Sequence, residues 1–143
     1  MLKGIGAGAM ISASGMVQTF AQAAGDGGNK ATDGEVFELR VYHTFEGKLV
    51  DLMARFRDHT MTIFKRHGME SVAYWTPTEG PLVDKTLFYI LRHPGREAAR
   101  ANWAAFMADP EWKQVSAASE ANGKLVEHVD STFLKLTDFS PKI

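Results

Sequence analysis

The chain has 143 residues, a formal net charge of −1, 45% hydrophobic and 23% charged residues, and no cysteine. This length suits one compact domain. The near-neutral charge gives no indication of nucleic-acid binding, and the lack of cysteine excludes disulfides, thiol nucleophiles and cysteine-ligated zinc sites.

The amino-terminal part of the chain has the pattern of an export signal followed by a linker. Residues 1–23 carry one basic residue, then a run of small and apolar residues that ends in Ala-Gln-Ala. This order is typical of a cleaved signal of the Sec or Tat-like type, and the alternative is a floppy tail that carries no targeting signal. Residues 24–34 are rich in Gly, Asp, Asn and Thr, which predicts a linker. We therefore expect a protein exported to the periplasm or secreted, with no membrane span in the mature chain.

Residues 35–45 alternate in polarity and are predicted to form the central strand of a sheet. One side is nearly all apolar, and we expect it to pack against helices; it consists of Phe37, Leu39, Val41, His43 and Phe45. The other side carries an acid, a base and a phenol, namely Glu38, Arg40 and Tyr42. Such a row is seldom left without a role in a small domain, so this side is the candidate site.

The remaining elements follow in a regular order. Apolar residues at helical spacing predict an amphipathic helix of about five turns over 47–67, closed by Gly68 in a left-handed cap. Two strands over 69–76 and 84–92 are separated by the turn residues of 77–81 and should form a hairpin. Helical spacing predicts a second helix over 96–108. Asp109 and Pro110 favour the start of a third, short helix, and 124–136 reads as the last strand.

This order of elements predicts an α+β fold, a ferredoxin-like antiparallel four-stranded sheet with its helices on one face. The third strand is apolar on both sides, LFYIL at 87–91, whereas a strand buried on one face only should alternate. The uncovered face therefore predicts a homodimer in which two sheets face each other as a dimeric α/β barrel. We expect Glu38, Arg40 and Tyr42 to line its interior.

Several segments together resemble the NIPSNAP family over about residues 35–143. They are FELRVY at 37–42, FRDH at 56–59, KRHGM at 65–69, GPL at 80–82, REAAR at 96–100, ADPEW at 108–112 and DFSP at 138–141. The resemblance implies a dimeric α+β barrel, in a superfamily that also contains cofactor-free monooxygenases, haem-dependent enzymes and small isomerases. It implies no particular activity.

The sequence offers two groups of candidate site residues. Arg40 and Tyr42 are predicted to bind a ligand, with an aromatic wall from Tyr74, Trp75 and Tyr89; the alternatives are a structural ion pair between Glu38 and Arg40 and plain packing of the aromatic residues. His59 and Glu38 are the candidates for proton transfer. His59 lies on the apolar stripe of the first helix and is expected to reach the sheet, where a core histidine is the alternative.

The other histidines indicate no metal site built by the protein. His43, His93 and His128 sit on or beside strands, and no His-x-His, H-E-x-x-H or carboxylate cluster accompanies them. We therefore expect no cofactor, although a lone axial histidine ligand to haem stays compatible with the sequence.

Three functions follow as hypotheses. The leading one is an exported dimeric barrel that binds a small, largely apolar molecule between its sheets. The first alternative is a cofactor-independent monooxygenase or isomerase, in which Arg40 and Tyr42 stabilise an enolate-like substrate while His59 or Glu38 moves a proton. The second alternative is a non-catalytic module for protein interaction. A pocket that contains both Arg40 and a titratable histidine would favour the enzyme, and an apolar pocket without a base would favour binding.

Overall fold

A computed structural model describes residues 34–143, so the predicted signal over 1–23 and nearly all of the linker over 24–34 lie outside the described residues. The elements are strand β1 (Val36–Thr44), helix α1, strands β2 (Glu70–Trp75) and β3 (Thr86–His93), helices α2 (Arg96–Ala108) and α3 (Pro110–Ser119), and strand β4 (Val126–Leu134). Helix α1 is made of Leu49–Arg55, a π-helical turn over Phe56–Thr60, and Met61–Arg66. The predicted α+β class and the order of elements are confirmed.

The four strands form one antiparallel sheet in the order β2-β3-β1-β4. Strand β1 is therefore a central strand, as predicted, and it pairs with β3 on one side and with β4 on the other. The register sets Arg40 of β1 opposite Tyr89 of β3 and opposite Ser131 of β4. Because directly opposed residues share a face, this register decides which side chains can meet.

Helix α1 ends where the sequence predicts it. Gly68 has a φ angle of +72°, in the left-handed region that favours glycine. The N–H of Met69 then donates to the carbonyl of Phe64 at 3.0 Å, and the N–H of Gly68 donates to the carbonyl of Lys65 at 3.2 Å. These bonds satisfy carbonyl groups that the end of a helix leaves without partners.

The predicted assignment of the two sheet faces is wrong. The helices cover the face of Glu38, Arg40 and Tyr42: the indole of Trp103 in α2 contacts Glu38, and the rings of Tyr42 and Phe56 in α1 lie 5.6 Å apart. The polar side chains of this face are compatible with burial because they bond to one another and to the helix. The apolar side of β1 is left on the face without helices.

The hydrophobic core lies between the helices and this polar-bearing face. Its buried members include Leu52, Phe56, Ile63, Phe64, Met69, Leu87, Tyr89, Leu91, Phe106 and Leu125. On β3, Leu87, Tyr89 and Leu91 are all at most 3% exposed. Alternate residues of β3 therefore serve the core, and the residues between them point to the other face.

The other face of the sheet, which we call the open face, carries apolar side chains that no described helix covers. Leu39 is opposite Ile90, and Val41 is opposite Phe88; all four are intermediate in exposure. At one end the carboxyl-terminal residue Ile143 accepts a hydrogen bond from Arg92.

Among the described residues, no helix combines the length and hydropathy that crossing a membrane requires.

Candidate functional site

The Glu38 carboxylate accepts four hydrogen bonds, although its residue is only 2% exposed. Oε1 receives Nη1 of Arg40 at 2.9 Å and Oγ of Ser131 at 2.8 Å. Oε2 receives Nε1 of Trp103 at 2.7 Å and Nε2 of His93 at 2.9 Å. Burial by itself would raise the pKa of Glu38, but the bonds from His93, Trp103, Arg40 and Ser131 outweigh it and lower the pKa to about 2. Glu38 is therefore ionised at neutral pH, with both oxygens occupied.

Four elements position this network. Glu38 and Arg40 are two residues apart in β1, so they share a face. Ser131 lies opposite Arg40 in β4, His93 is the last residue of β3, and Trp103 comes from α2. The acid thus joins three strands to a helix, and the ion pair that the sequence suggested is part of a larger hydrogen-bonded cluster.

Arg40 lies between two aromatic rings. Its guanidinium carbon is 4.2 Å from the ring centroid of Trp103 and 5.6 Å from that of Tyr42, and Nη2 donates to the Tyr42 hydroxyl at 3.4 Å. Burial would lower the pKa of Arg40, but Tyr42, Tyr89 and Glu38 together hold the pKa above its ordinary value. A charge stabilised by an aromatic face and a carboxylate stays fixed in position.

The predicted aromatic wall is divided between the two faces of the sheet. Tyr74 and Tyr89 stack with their centroids 5.3 Å apart, and Tyr42 meets Tyr89 edge-on at 5.3 Å, all on the helix-covered face. Tyr89 is fully buried, and burial raises the pKa of its hydroxyl. Trp75 pairs with Phe88 and is 49% exposed, so it lies on the open face. These residues do not form one surface around Arg40.

A cleft of about 250 Å³ opens beside Glu38, between α2 and the sheet. Trp103 and Phe133 form its apolar walls, and Arg96 and Arg100 lie one helical turn apart at its edge. The Arg96 guanidinium lies 4.8 Å from the Phe133 ring centroid. Two cations beside two flat rings suit an anionic group attached to a planar apolar body. We call this the α2 cleft.

His59 does not reach the sheet. It is exposed and lines a separate cavity of about 560 Å³ with residues of α1 and α3, including Asp58 and Gln114. The cause is local, because in the π-helical turn Thr60 takes the buried position and its hydroxyl donates to the carbonyl of Arg55 at 3.2 Å. The two residues predicted for proton transfer, His59 and Glu38, are therefore not brought together.

Sequence reasoning missed Trp103, His93 and Ser131 as partners of Glu38. The helical spacing of Trp103 predicts a core position, and its ring does pack there, 5.5 Å from that of Phe64. The available signal was the acid itself, because a buried carboxylate requires several donors. Which residues provide these donors depends on the strand register, and the register cannot be read from the sequence.

Comparison with known proteins identifies the family. The NIPSNAP family model matches residues 37–141, and the chain belongs to the NIPSNAP family. The resemblance inferred from the sequence is thereby confirmed. A comparison with curated proteins gives no match.

Solved structures share this fold. A NIPSNAP-like domain protein from Burkholderia xenovorans has a TM-score of 0.67 at 18% identity, covering 78% of this chain and 92% of its own. Protein Atu4242 from Agrobacterium tumefaciens has a TM-score of 0.65 at 24% identity, covering 76% and 99%. SnoaB from Streptomyces nogalater, a cofactor-independent oxygenase, has a TM-score of 0.50 at 17% identity, covering 76% and 99%. At these identities the likeness establishes the fold.

Proposed function

We propose that this NIPSNAP domain is an exported, homodimeric binding protein that holds a small planar molecule with an acidic group in the α2 cleft. The observation that carries the proposal is the pairing of the Trp103 and Phe133 rings with the guanidinium groups of Arg96 and Arg100 around one cavity. The sequence predicted a ligand between the two sheets of a dimer. Glu38, Arg40 and Tyr42 lie on the helix-covered face, so they could not line such a cavity, and the ligand is placed in the α2 cleft instead.

The walls of the cleft favour a flat, apolar body. Trp103 is held at its indole nitrogen by Glu38 and on its face by Arg40, so its ring is fixed before any ligand arrives. Phe133 faces Arg96 on one side. A preordered aromatic wall reduces the entropy lost on binding.

The charges of the cleft favour an anion. The negative charge of Glu38 is already paired with Arg40 and bound by three further donors. Arg96 and Arg100 are therefore the positive groups at the opening. Arg100 also pairs with Glu97 at 3.3 Å, but both side chains are exposed and such a pair is weak. A carboxylate, sulfonate or phosphate group on the ligand would meet two guanidinium groups.

The arrangement supports binding more than catalysis. A cofactor-independent oxygenase or isomerase, the alternative favoured by the fold shared with SnoaB, requires a group that accepts a proton near the substrate. Glu38 is ionised, but its lone pairs are occupied by four donors, and His59 lines a different cavity. The second alternative, a non-catalytic module for protein interaction, would not require two rings and two guanidinium groups around one cavity.

The open face supports the homodimer. Leu39, Val41, Phe88 and Ile90 form a continuous apolar surface on paired strands, and no described helix covers it. A second copy of the chain would remove this surface from water, with a gain of about 25 cal/mol for each Å² buried. A face that closes against a copy of itself has the two-fold symmetry usual in homodimers.

The ligand proposal is tested with 8-anilinonaphthalene-1-sulfonate, a flat apolar anion whose fluorescence rises on binding. We expect saturable binding to the purified chain and a loss of affinity of about tenfold or more in the double variant Arg96→Ala with Arg100→Ala, since two charge-assisted contacts are removed. Arg57→Ala removes an exposed arginine beside another cavity and serves as the control.

Equal affinity of the wild type and the double variant would refute the α2 cleft as the site. Native mass spectrometry of protein purified from its own host gives an independent result: a retained anionic aromatic compound supports the proposal, and its loss in the double variant locates it. Turnover of such a compound by the wild type would instead favour the enzyme.

A further inference from the structure

Three metal-ligating side chains meet on the open face of the sheet, away from the α2 cleft. His43, His128 and Asp130 each bring one donor atom to within 4.8 Å of the other two. Nε2 of His43 lies 2.9 Å from Oδ2 of Asp130. The rings of His43 and His128 stack with centroids 4.1 Å apart and an angle of 14° between their planes.

The strand register creates this cluster. His43 of β1 is directly opposite His128 of β4, and His128 and Asp130 are two residues apart on the same strand. Residues two apart in a strand share a face, so all three side chains project from the open face. The sequence indicated no metal site because His43 and His128 are 85 positions apart in the chain and only the H-x-D spacing at 128–130 is local.

The donors match the preferences of divalent first-row transition ions. Two imidazole nitrogens and one carboxylate oxygen suit Zn²⁺ and its neighbours, which bind such atoms at about 2.0–2.2 Å. Tetrahedral ligands at that distance are separated by about 3.4 Å. The two rings are nearly parallel, so the exposed His128 ring must tilt out of the stack before both nitrogen lone pairs point at one ion. In the single chain Asp130, on the edge strand β4, is 66% exposed, which leaves room for a water molecule or another ligand in the fourth position.

We propose that His43, His128 and Asp130 form a binding site for one divalent transition metal ion on the open face. The backbone fixes both histidines on paired central and edge strands, so little order is lost when the ion binds. The Asp130 carboxylate, which contacts His43 at 2.9 Å, becomes either the third ligand or the group that orients the ring. The site is independent of the ligand proposed for the α2 cleft.

The test is a Co²⁺ titration of the full chain, prepared without an affinity tag and freed of metal by chelation, at about pH 7.5, where imidazole is ordinarily neutral. We expect visible absorption bands of a low-coordinate site that saturate at one ion per chain and disappear when Zn²⁺ is added in competition. Loss of a residue that only hydrogen-bonds to a metal ligand typically lowers metal affinity by about tenfold or more, and loss of a ligand itself should lower it at least as much. His43→Ala and His128→Ala should therefore each lower the Co²⁺ affinity by about tenfold or more.

The control is His59→Ala, which removes an exposed histidine of helix α1, on the other side of the sheet, and should leave the titration unchanged. Asp130→Asn provides a second probe, because it keeps the size of the side chain but removes its charge. Affinity that is equal in the wild type and in His128→Ala, or a wild-type titration without saturation, would show that the stacked histidines are a surface contact only and would overturn the proposal.

Discussion

The indole N–H of Trp103 lies 2.7 Å from Oε2 of Glu38, so helix α2 is hydrogen-bonded to strand β1 through a buried anion. The face of the same indole carries the guanidinium of Arg40, 4.2 Å from its centroid. The edge of an aromatic ring is positive and its face is negative. Trp103 therefore stabilises both members of the ion pair, each with the part of the ring that has the opposite charge.

Trp103→Phe should lower the free energy of unfolding by about 1.5–3 kcal/mol, the usual contribution of a hydrogen bond to a charged group. Phenylalanine keeps an aromatic ring beside Arg40 but removes the donor to Glu38. Urea denaturation measures the change. Trp112→Phe is the matched control, since Trp112 packs on Phe106 with its centroid 4.5 Å away and has no part in the Glu38 network. A smaller loss in Trp103→Phe than in the control would contradict the importance of this bond.

The free energy of unfolding should fall in acid because Glu38 becomes protonated. Its pKa drops from the ordinary value of 4.5 to about 2 on folding, which corresponds to about 3 kcal/mol. Because the folded-state pKa is the lower one, this stability is complete above about pH 4.5 and is lost as the pH falls toward 2. Glu38→Gln should therefore be less stable than the wild type near neutral pH, and the difference should shrink below pH 4.5.

Denaturation of both proteins across this pH range is the measurement, and the difference between them is the decisive quantity. Arg66 and His67 also lower the pKa of Asp109, so Asp109 contributes to the acid slope of both proteins. Subtracting the two curves removes that shared contribution. A difference that does not change with pH would mean that Glu38 does not titrate in the way its contacts require.

The sequence predicted the elements well because their signals are local. The Asp109 cap accepts hydrogen bonds from the N–H groups of Glu111 and Trp112, and Pro110 begins α3, as their order in the chain indicates. The π-helical turn over Phe56–Thr60 was not predicted, because it shifts the helix register without breaking the apolar spacing of Phe56, Ile63 and Phe64. This turn places His59 at the surface.

The site was predicted less well because it depends on contacts between distant parts of the chain. The sequence identified Glu38 and Arg40 as partners, and they are 2.9 Å apart. Polarity suggested that these residues would avoid the helices, yet four donors allow a carboxylate to be buried beneath α2. Both faces of β3 are apolar. Hydropathy alone therefore could not show which face of the sheet the helices cover.

The proposed homodimer predicts that a charge on the open face will separate the two copies. Ile90→Asp would place a carboxylate between Leu39 and Ala73, inside the apolar surface, where burying it without a partner is costly. We expect the wild type to sediment as a dimer and the variant as a monomer. Val50→Asp is the control because Val50 is 70% exposed on α1. A wild-type chain that stays monomeric at high concentration would refute the homodimer.

The left-handed cap of α1 predicts a difference between two glycines of nearly equal backbone angle. Gly47 and Gly68 have φ angles of +73° and +72°, so alanine at either position pays a similar conformational cost of about 1–2 kcal/mol. A Cβ at Gly47 would meet nothing within 4 Å, whereas at Gly68 it would lie 3.3 Å from Nδ2 of Asn102. That nitrogen donates to the carbonyl of Gly68 at 3.4 Å. Gly68→Ala should therefore destabilise the protein more than Gly47→Ala.

Thermal denaturation of the two variants, each with and without Asn102→Ala, separates the backbone cost from the contact. If Asn102 causes the extra loss, Gly68→Ala and Gly47→Ala should cost the same amount once Asn102 is shortened, because only the φ angle then distinguishes alanine from glycine. If Gly68→Ala is still the more harmful change in that background, the additional cost lies in the cap itself, where the Met69 N–H must reach the Phe64 carbonyl across the left-handed residue.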